Sequence, residues 1–197
     1  MKKTGFLCRK DKRLLIRPFK QEDYLAWKYF FDTLASPKNI WDSHIKSKDE
    51  LSKSSFNKLL KLNNECIKKD LIYRLAVFEV KSGSFIGQVS LMNVVRGVTQ
   101  SAYLGYLIHN CFWGKGYGKA ATLATIDIAF KDLNLHRVEA GIEPYNRKSI
   151  FLAKSIGLRK EGLKKKMVLL RGKWQDLTIY SATCEDFSLK WRESSDF

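Results

Sequence analysis

Residues Tyr103–Lys119 read YLGYLIHNCFWGKGYGK, a strand-like run that passes into a glycine-rich loop. The residues that follow, 119–131, are apolar almost all round and predict a buried helix. A glycine loop at a helix N-terminus gathers unpaired backbone N–H groups and the positive end of the helix dipole at one point. The pattern therefore predicts a phosphate-binding turn between a strand and a helix.

Two common phosphate-binding motifs do not fit this loop. A Walker loop needs a longer spacing than the one between Gly114 and Lys119, and it needs Ser or Thr where Ala120 stands. A dinucleotide fingerprint fails because Lys119 occupies the position of its third glycine. The glycines by themselves also suit an ordinary strand-to-helix turn, so that alternative stays open.

A second group of residues follows about thirty positions later. The predicted strand ends at Ile142, and Asn146 is well placed to cap the next helix, with Ser149 in its first turn. The side chains of Asn146 and Ser149 can therefore meet one ligand. An ordinary capping motif is the alternative interpretation.

Outward from these two motifs, the pattern alternates strands and helices without an internal repeat. Ser47 and Glu50 form a potential capping box for a helix that reaches about residue 69. Strands are predicted over residues 13–18, 73–80, 85–95, 102–109, 136–142, 165–170 and 174–183, and helices over 21–34, 47–69, 119–131 and 146–156. The sum is an α+β fold with a mixed, mainly antiparallel sheet of about seven strands flanked by about four helices.

Composition limits the class of protein. The 197 residues include 36 Lys and Arg against 20 Asp and Glu, a net charge of +16, and 45% are hydrophobic. This length and apolar content predict one domain over 1–197, with a core from about residue 12 to 187. No window approaches the roughly 18 apolar residues of a membrane span, and the N-terminus lacks the apolar segment of a signal peptide. The basic surface should attract anions, among them nucleic acids and phosphorylated cofactors.

The cysteine pattern argues against a metal site or a disulfide scaffold. The four cysteines lie far apart in sequence, with no C-x-x-C pair and no histidine at metal-ligand spacing (Cys8, Cys66, Cys111 and Cys184). We therefore expect no metal, and reduced thiols in a cytoplasmic protein.

The order of glycine loop, buried helix, strand, Asn-x-x-Ser and closing hairpin resembles the GNAT superfamily of acetyl-CoA-dependent N-acyltransferases. The pyrophosphate loop of that superfamily reads Q/R-x-x-G-x-G/A. Here Gly116 and Gly118 fill the glycine positions, while Trp113 stands where Gln or Arg is usual. Within the superfamily, NVVRG at 93–97, AYLGYLI at 102–108 and GKWQD at 172–176 resemble the RimJ subfamily of ribosomal-protein-alanine N-acetyltransferases.

The resemblance implies that acetyl-CoA is the cosubstrate and that its acetyl group passes directly to an amine. The backbone of residues 106–108 would run beside pantetheine, the amides of the glycine loop would hold the pyrophosphate, and Arg147 and Lys148 would lie near the phosphates. The residues expected to bind acetyl-CoA are Tyr106, Leu107, Ile108, Lys115, Gly116, Tyr117, Gly118, Lys119 and Asn146.

For catalysis, the resemblance points to Ser149, which would hydrogen-bond the CoA sulfur and assist departure of the thiolate. Some relatives carry a tyrosine acid where this chain has Ala153 and a glutamate base where it has Gly141. An α-amine has a pKa near 8, so part of it is already neutral near pH 7 and a water-mediated proton acceptor suffices. Candidates for that acceptor are Tyr103, which we rank beside Ser149, then Glu143, Asp176 and His44. His136 is expected to be a packing residue.

The subfamily resemblance implies an acceptor at the N-terminal alanine of a small-subunit ribosomal protein. Because such a tail is itself basic, the excess charge would dock the enzyme on ribosomal RNA in an assembling particle. The residues expected to do so are Lys164–Lys166 with Arg9, Lys10, Lys12, Arg13 and Arg17. Two alternatives remain: acetylation of a small amine such as a polyamine or aminoglycoside, and an RNA-binding protein that uses the fold only as a scaffold. No membrane partner is expected.

Overall fold

The computed structural model of the chain describes residues 2–43 and 45–192, which form nine strands and four α-helices. The strands, in chain order, are β1 Lys2–Gly5, β2 Cys8–Lys10, β3 Leu14–Pro18, β4 Tyr73–Glu79, β5 Phe85–Val95, β6 Ser101–Ile108, β7 Arg137–Ile142, β8 Arg159–Leu170 and β9 Lys173–Thr183. The helices are α1 Tyr24–Asp32, α2 Lys53–Lys68, α3 Tyr117–Lys131 and α4 Arg147–Ser155.

One sheet contains all nine strands, in the order β1-β2-β3-β4-β5-β6-β7-β9-β8. Each neighbouring pair is antiparallel except β6 and β7, which are parallel. The predicted α+β class with a mixed, mainly antiparallel sheet is therefore confirmed. The two strands beyond the expected seven are β1 and β2, which precede the first predicted strand.

The start of the second helix differs from the prediction. Ser47 and Glu50 do exchange hydrogen bonds, because the Ser47 N–H donates to the Glu50 carboxylate at 2.9 Å and the Glu50 N–H donates to Ser47 Oγ at 3.3 Å. This capping box closes a turn, however, and α2 begins only at Lys53, where Ser52 accepts from the Ser55 N–H at 3.2 Å. The sequence holds two serine caps in succession, and the later one starts the helix.

The core lies on both faces of the sheet, as the alternation along β4 shows. Leu75 and Val77 belong to the apolar cluster under α3, whereas Ala76 and Phe78 belong to the cluster under α1 and α2. Helix α3 packs on one face of the sheet, and most of its residues are buried, as its apolar composition predicts.

The sheet splits between β6 and β7. The two strands pair only from Ser101 to Tyr103 against Arg137 to Glu139, although β6 continues to Ile108 and β7 to Ile142. Backbone groups in the second half of β6 are therefore left out of the ladder on the β7 side. The same end of the sheet carries the N-termini of α3 and α4.

Strands β8 and β9 extend beyond the sheet at this same end. Residues Thr178–Thr183 of β9 pair with β7, whereas Lys173–Leu177 pair only with β8. The result is a two-stranded arm that projects past the end of β7. It carries the exposed basic run Lys164–Lys166.

Arg9 is not a surface residue, so its expected contact with RNA is wrong. Its side chain is 1% exposed, and its guanidinium bonds Asp127 at 2.6 Å and Asp132 at 2.9 Å. Arg17 is also largely buried, in an ion pair with Asp23 at 2.7 Å. Burial in the fold therefore removes both arginines from the predicted docking set, while Lys10, Lys12 and Arg13 are exposed.

Candidate active site

A cleft of about 760 Å³ opens where β6 and β7 separate. Its floor and walls come from the end of β6, the loop before α3, the first turns of α3 and α4, and the connection between α1 and α2. The sequence-predicted residues that line it are Tyr106, Leu107, Ile108, Gly116, Tyr117, Gly118, Lys119, Asn146 and Ser149.

The glycine loop presents backbone amides to the cleft. Gly116 is the N-cap of α3 and has φ +77°, a left-handed conformation that favours glycine. Because the N-cap has no side chain, nothing from that residue competes for the N–H groups of the first turn. Lys115 does not line the cleft: its carbonyl accepts from Arg13 at 3.3 Å, and its ammonium lies over the Phe112 ring. The loop can therefore bind an anion chiefly through its backbone.

Trp113, at the position where Gln or Arg is usual, has a different role from a charged residue. Its indole N–H donates to the carbonyl of Ile108 at 2.6 Å. The ammonium of Lys148 lies 3.9 Å from the centre of the indole ring, a cation–π contact. Trp113 thus fixes the end of β6 and holds a cation at the cleft wall.

Ser149 and Tyr106 form a pair of hydroxyls inside the cleft. Ser149 Oγ donates to Tyr106 Oη at 2.9 Å, and Tyr106 Oη donates to the Ser149 carbonyl at 3.2 Å. The Ser149 N–H donates to Asn146 Oδ1 at 3.2 Å, the cap that the sequence predicts. Burial raises the pKa of Tyr106, so its hydroxyl stays protonated near neutral pH. Two linked hydroxyls can pass a proton between them.

Sequence reasoning assigned Tyr106 only a backbone role and missed its hydroxyl. Strand alternation could have found it, because Leu104, Tyr106 and Ile108 share the face that α3 and α4 cover. By the same alternation Tyr103 points to the other face. Its hydroxyl accepts from Lys164 at 3.3 Å, and the structure does not bring it to the cleft.

Among the described residues, the other candidate proton acceptors lie outside the cleft or are already bonded. Asp176 accepts from the Lys166 N–H and pairs with Lys165 at 3.1 Å on the projecting arm. His44 lies outside the described residues. Both carboxylate oxygens of Glu143 are engaged, one by the indole of Trp41 at 2.7 Å and the other by Arg171.

His136 and Cys184 come together although they are far apart in sequence. His136 Nε2 lies 3.2 Å from Glu185, to which the Cys184 thiol donates at 3.3 Å. Burial raises the pKa of Cys184 to about 11, so the thiol stays protonated. These groups satisfy one another at the start of β7, and the cleft is at its other end.

A buried polar network anchors the α1–α2 connection beside the cleft. Asn110 donates to Asp42 at 2.7 Å, and Ser43 Oγ lies 2.9 Å from His109 Nδ1. Asp42 and Asn39 line the cleft together with Trp41. Sequence reasoning missed all three. Nothing local marks Asp42 or Trp41, because their partners Asn110 and Glu143 lie 68 and 102 positions away.

His109 should make the stability depend on pH. Its side chain is fully buried, and burial lowers its pKa to about 3, against the opposite effect of Asp42. The unfolded chain, with a histidine pKa near 6.5, takes up the proton first. This contribution to stability is therefore complete above pH 6.5 and is lost as the pH falls toward 3, by at most about 1.4 kcal/mol per pH unit.

Urea unfolding between pH 4.5 and 6.5 measures this slope, in a range above the usual titration of carboxylates. We expect His109→Leu to flatten it and His136→Gln, which alters a half-exposed histidine, to keep it. An unchanged slope in His109→Leu would mean that another group causes the pH dependence.

Comparisons with known proteins point to one family. Residues 13–159 match the family described as acetyltransferase (GNAT) domain. The chain is 28% identical over 179 residues to the ribosomal protein uS5-alanine N-acetyltransferase of Escherichia coli (strain K12). The aligned region covers 89% of this chain and 90% of that enzyme. It is 34% identical over 134 residues to "Probable N-acetyltransferase YjcK" of Bacillus subtilis (strain 168), or 68% of this chain and 74% of that protein.

Among solved structures, the ribosomal-protein-S5-alanine acetyltransferase from Vibrio fischeri superimposes with a TM-score of 0.80 at 26% identity. The match covers 94% of this chain and 99% of that chain. Within the described residues, no helix has the length and apolar character needed to cross a membrane.

Proposed function

The chain belongs to the GNAT acetyltransferase family and is an N-acetyltransferase, and from this premise we propose that its acceptor is the N-terminal α-amine of a protein. The first candidate is the N-terminal alanine of a small-subunit ribosomal protein. The observation that carries this proposal is the similarity to the Escherichia coli uS5-alanine N-acetyltransferase over nine-tenths of both chains.

The cleft has the features that acetyl-CoA requires. The amides at the start of α3, around Gly116, suit its pyrophosphate, and the unpaired edge of β6 suits pantetheine, which can align there like an added strand. Asn146 and Ser149 lie farther along the same cleft. Bound acetyl-CoA supplies a thioester whose carbonyl carbon is open to attack by an amine.

The transfer forms a bond between the amine nitrogen and the acetyl carbon and breaks the carbon–sulfur bond. The amine loses a proton, and the thiolate gains one. Ser149 Oγ, backed by the Tyr106 hydroxyl at 2.9 Å, is our candidate for the group that hydrogen-bonds the thiolate and passes it a proton, which water returns to Ser149.

No dedicated carboxylate base is needed in this scheme. Of the described residues, Asp42 is the one carboxylate that lines the cleft, and its pKa is lowered because hydrogen bonds from the Lys38 backbone, Asn110 and the Ser43 backbone outweigh its burial. Such a carboxylate is a weak base. The acceptor amine therefore enters in its neutral form and releases its proton to water, which an α-amine with a pKa near 8 allows.

The basic residues that remain exposed support docking of the enzyme on ribosomal RNA. We place the enzyme in the cytoplasm. Lys164–Lys166 lie on the projecting arm and Lys10, Lys12 and Arg13 near the N-terminus, all exposed. Phosphate contacts release counterions, so affinity for small ribosomal subunits should fall steeply between about 50 and 200 mM salt. Binding that does not respond to salt would contradict this docking.

The function is tested by acetyl transfer from acetyl-CoA to a panel of acceptors. The panel holds peptides with the N-terminus of the ribosomal protein beginning with Ala, Ser or Met, and spermidine as the small amine. We expect the highest kcat/KM for the Ala peptide. In Ser149→Ala we expect kcat to fall about 100-fold, the lower end of the range for loss of one general acid, with little change in the KM for acetyl-CoA.

Ser155→Ala is the matched control, because Ser155 also lines the cleft but its hydroxyl donates to the Leu152 carbonyl. Activity on spermidine alone would mean that the acceptor is a small amine and not a peptide. Tight acetyl-CoA binding without transfer to any member of the panel would favour a larger acceptor, such as the assembling subunit, or an RNA-binding protein that uses the fold as a scaffold.

A further inference from the structure

Three residues from separate parts of the chain meet beside the cleft. Trp41 lies in the α1–α2 connection, Glu143 directly follows β7, and Arg171 is at the tip of the β8–β9 arm. The indole N–H of Trp41 donates to Glu143 Oε1 at 2.7 Å, and the guanidinium of Arg171 pairs with Glu143 Oε2. We call these three residues the entrance bridge.

Arg171 adopts a backbone conformation that arginine rarely takes. The two-residue turn Arg171-Gly172 has φ of +51° and +72°, as in a type I′ hairpin turn. The first position of such a turn favours Asn, Asp or Gly, so an arginine there is strained. The guanidinium of Arg171 reaches Glu143 from this turn. The strained residue is thus the one that joins the arm to the rest of the site.

The entrance bridge also fixes the indole of Trp41. The side chain of Glu143 is 11% exposed, and each of its oxygens has one cationic or N–H partner. The indole cannot swing away while its N–H is held by this largely buried carboxylate. Trp41 lines the cleft, so a rigid aromatic group limits the space beside the α1–α2 connection.

We propose that the entrance bridge determines specificity by restricting the first residue of the acceptor peptide to a small side chain. This proposal rests on the proposed function, because it assumes a peptide acceptor. The peptide enters between the α1–α2 connection and the arm, and Trp41 leaves room for alanine or serine but not for leucine or phenylalanine. Glu143 acts here as a positioning residue, not as the base, because both of its oxygens are already engaged.

Two substitutions break the entrance bridge from opposite sides with little damage to the fold. Arg171→Asn removes the guanidinium and places a favoured residue in the I′ turn, so the arm stays folded. Trp41→Phe removes the indole N–H and keeps an aromatic ring. Lys173→Asn, on the exposed residue at the other side of the same turn, is the control.

The measurement is the ratio of kcat/KM for an Ala-starting peptide to kcat/KM for the same peptide starting with Leu. We expect wild type and Lys173→Asn to share a ratio of at least about 100, a selectivity that one shaped pocket can provide. In Arg171→Asn and Trp41→Phe the ratio should fall about tenfold or more, mainly because the Leu peptide improves, while the KM for acetyl-CoA stays unchanged. Glu143→Gln keeps an oxygen for Trp41 and should change the ratio less than Trp41→Phe does.

Equal ratios in wild type, Arg171→Asn and Trp41→Phe would overturn the proposal, provided that the KM for acetyl-CoA shows intact folding. A failure of the proposed function looks different, because wild type itself would then acetylate neither peptide. That result would overturn the size restriction as well. A changed KM for acetyl-CoA with an unchanged ratio would assign the entrance bridge to cofactor binding and would also contradict the proposal.

Discussion

Replacement of Arg9 by leucine is expected to lower the free energy of unfolding by about 3–5 kcal/mol, the usual cost of removing one member of a buried ion pair. The side chains of Arg9 and Asp132 are 1% and 0% exposed. Arg9 bonds both oxygens of Asp132, at 2.9 and 3.0 Å, and also Asp127 at 2.6 Å. Leucine has about the same volume but removes this guanidinium from the buried Asp132 carboxylate, which keeps its bond from the Leu7 N–H.

Urea-induced unfolding of wild type and Arg9→Leu gives the midpoint concentration and the dependence of the unfolding free energy on urea for each protein. Lys10→Leu, which removes the exposed cation of the next residue on the same strand, should leave the unfolding free energy unchanged. A loss of less than about 1 kcal/mol in Arg9→Leu would contradict this prediction, because that is the contribution of an exposed ion pair. It would mean that the Asp132 carboxylate becomes protonated or hydrated at little cost.

This ion pair also shows why the N-terminal strands were not predicted. Strands β1 and β2 are short and basic, KKTG and CRK, and neither has the apolar alternation that identifies a strand. Besides its pairing with β3, β2 is held in place by Arg9, which bonds residues 118 and 123 positions away. By contrast, β5 has the predicted bounds 85–95, because its apolar residues lie between turns that contain Gly83 and Gly97.

The candidate site likewise has parts that local sequence patterns predict and parts that depend on residues far apart in the chain. The glycine loop and the Asn146–Ser149 cap were predictable, since each is a local motif whose residues lie within one turn of a helix. The sequence offered Tyr103 as a candidate proton acceptor, but strand alternation turns its side chain away from the cleft. The entrance bridge joins positions 102 and 28 residues apart, and no pattern along the chain marks such a convergence.

Replacement of Gly116 by valine is expected to weaken acetyl-CoA binding about 100-fold, or about 2.7 kcal/mol. At φ +77° a β-branched residue is strained by at least 1–2 kcal/mol, and rotation of the adjacent peptide planes relieves that strain. The rotation turns the N–H groups at the start of α3 away from the cleft. Because these amides are the proposed pyrophosphate site, the cofactor loses its main anionic contacts. Titration calorimetry with acetyl-CoA measures the effect.

Two further glycine variants separate backbone strain from loss of the anion site. Gly97→Val introduces the same strain at φ +65°, in the β5–β6 turn, where an added Cβ meets nothing within 4 Å. It should lower stability and leave the Kd for acetyl-CoA unchanged. Gly118→Ala keeps a helical backbone, and its Cβ would lie an ordinary 3.6 Å from Leu152, so binding should change only slightly. If Gly116→Val bound acetyl-CoA as tightly as Gly97→Val does, the pyrophosphate would have to lie elsewhere, because the amides at the start of α3 would then have turned away without affecting the Kd.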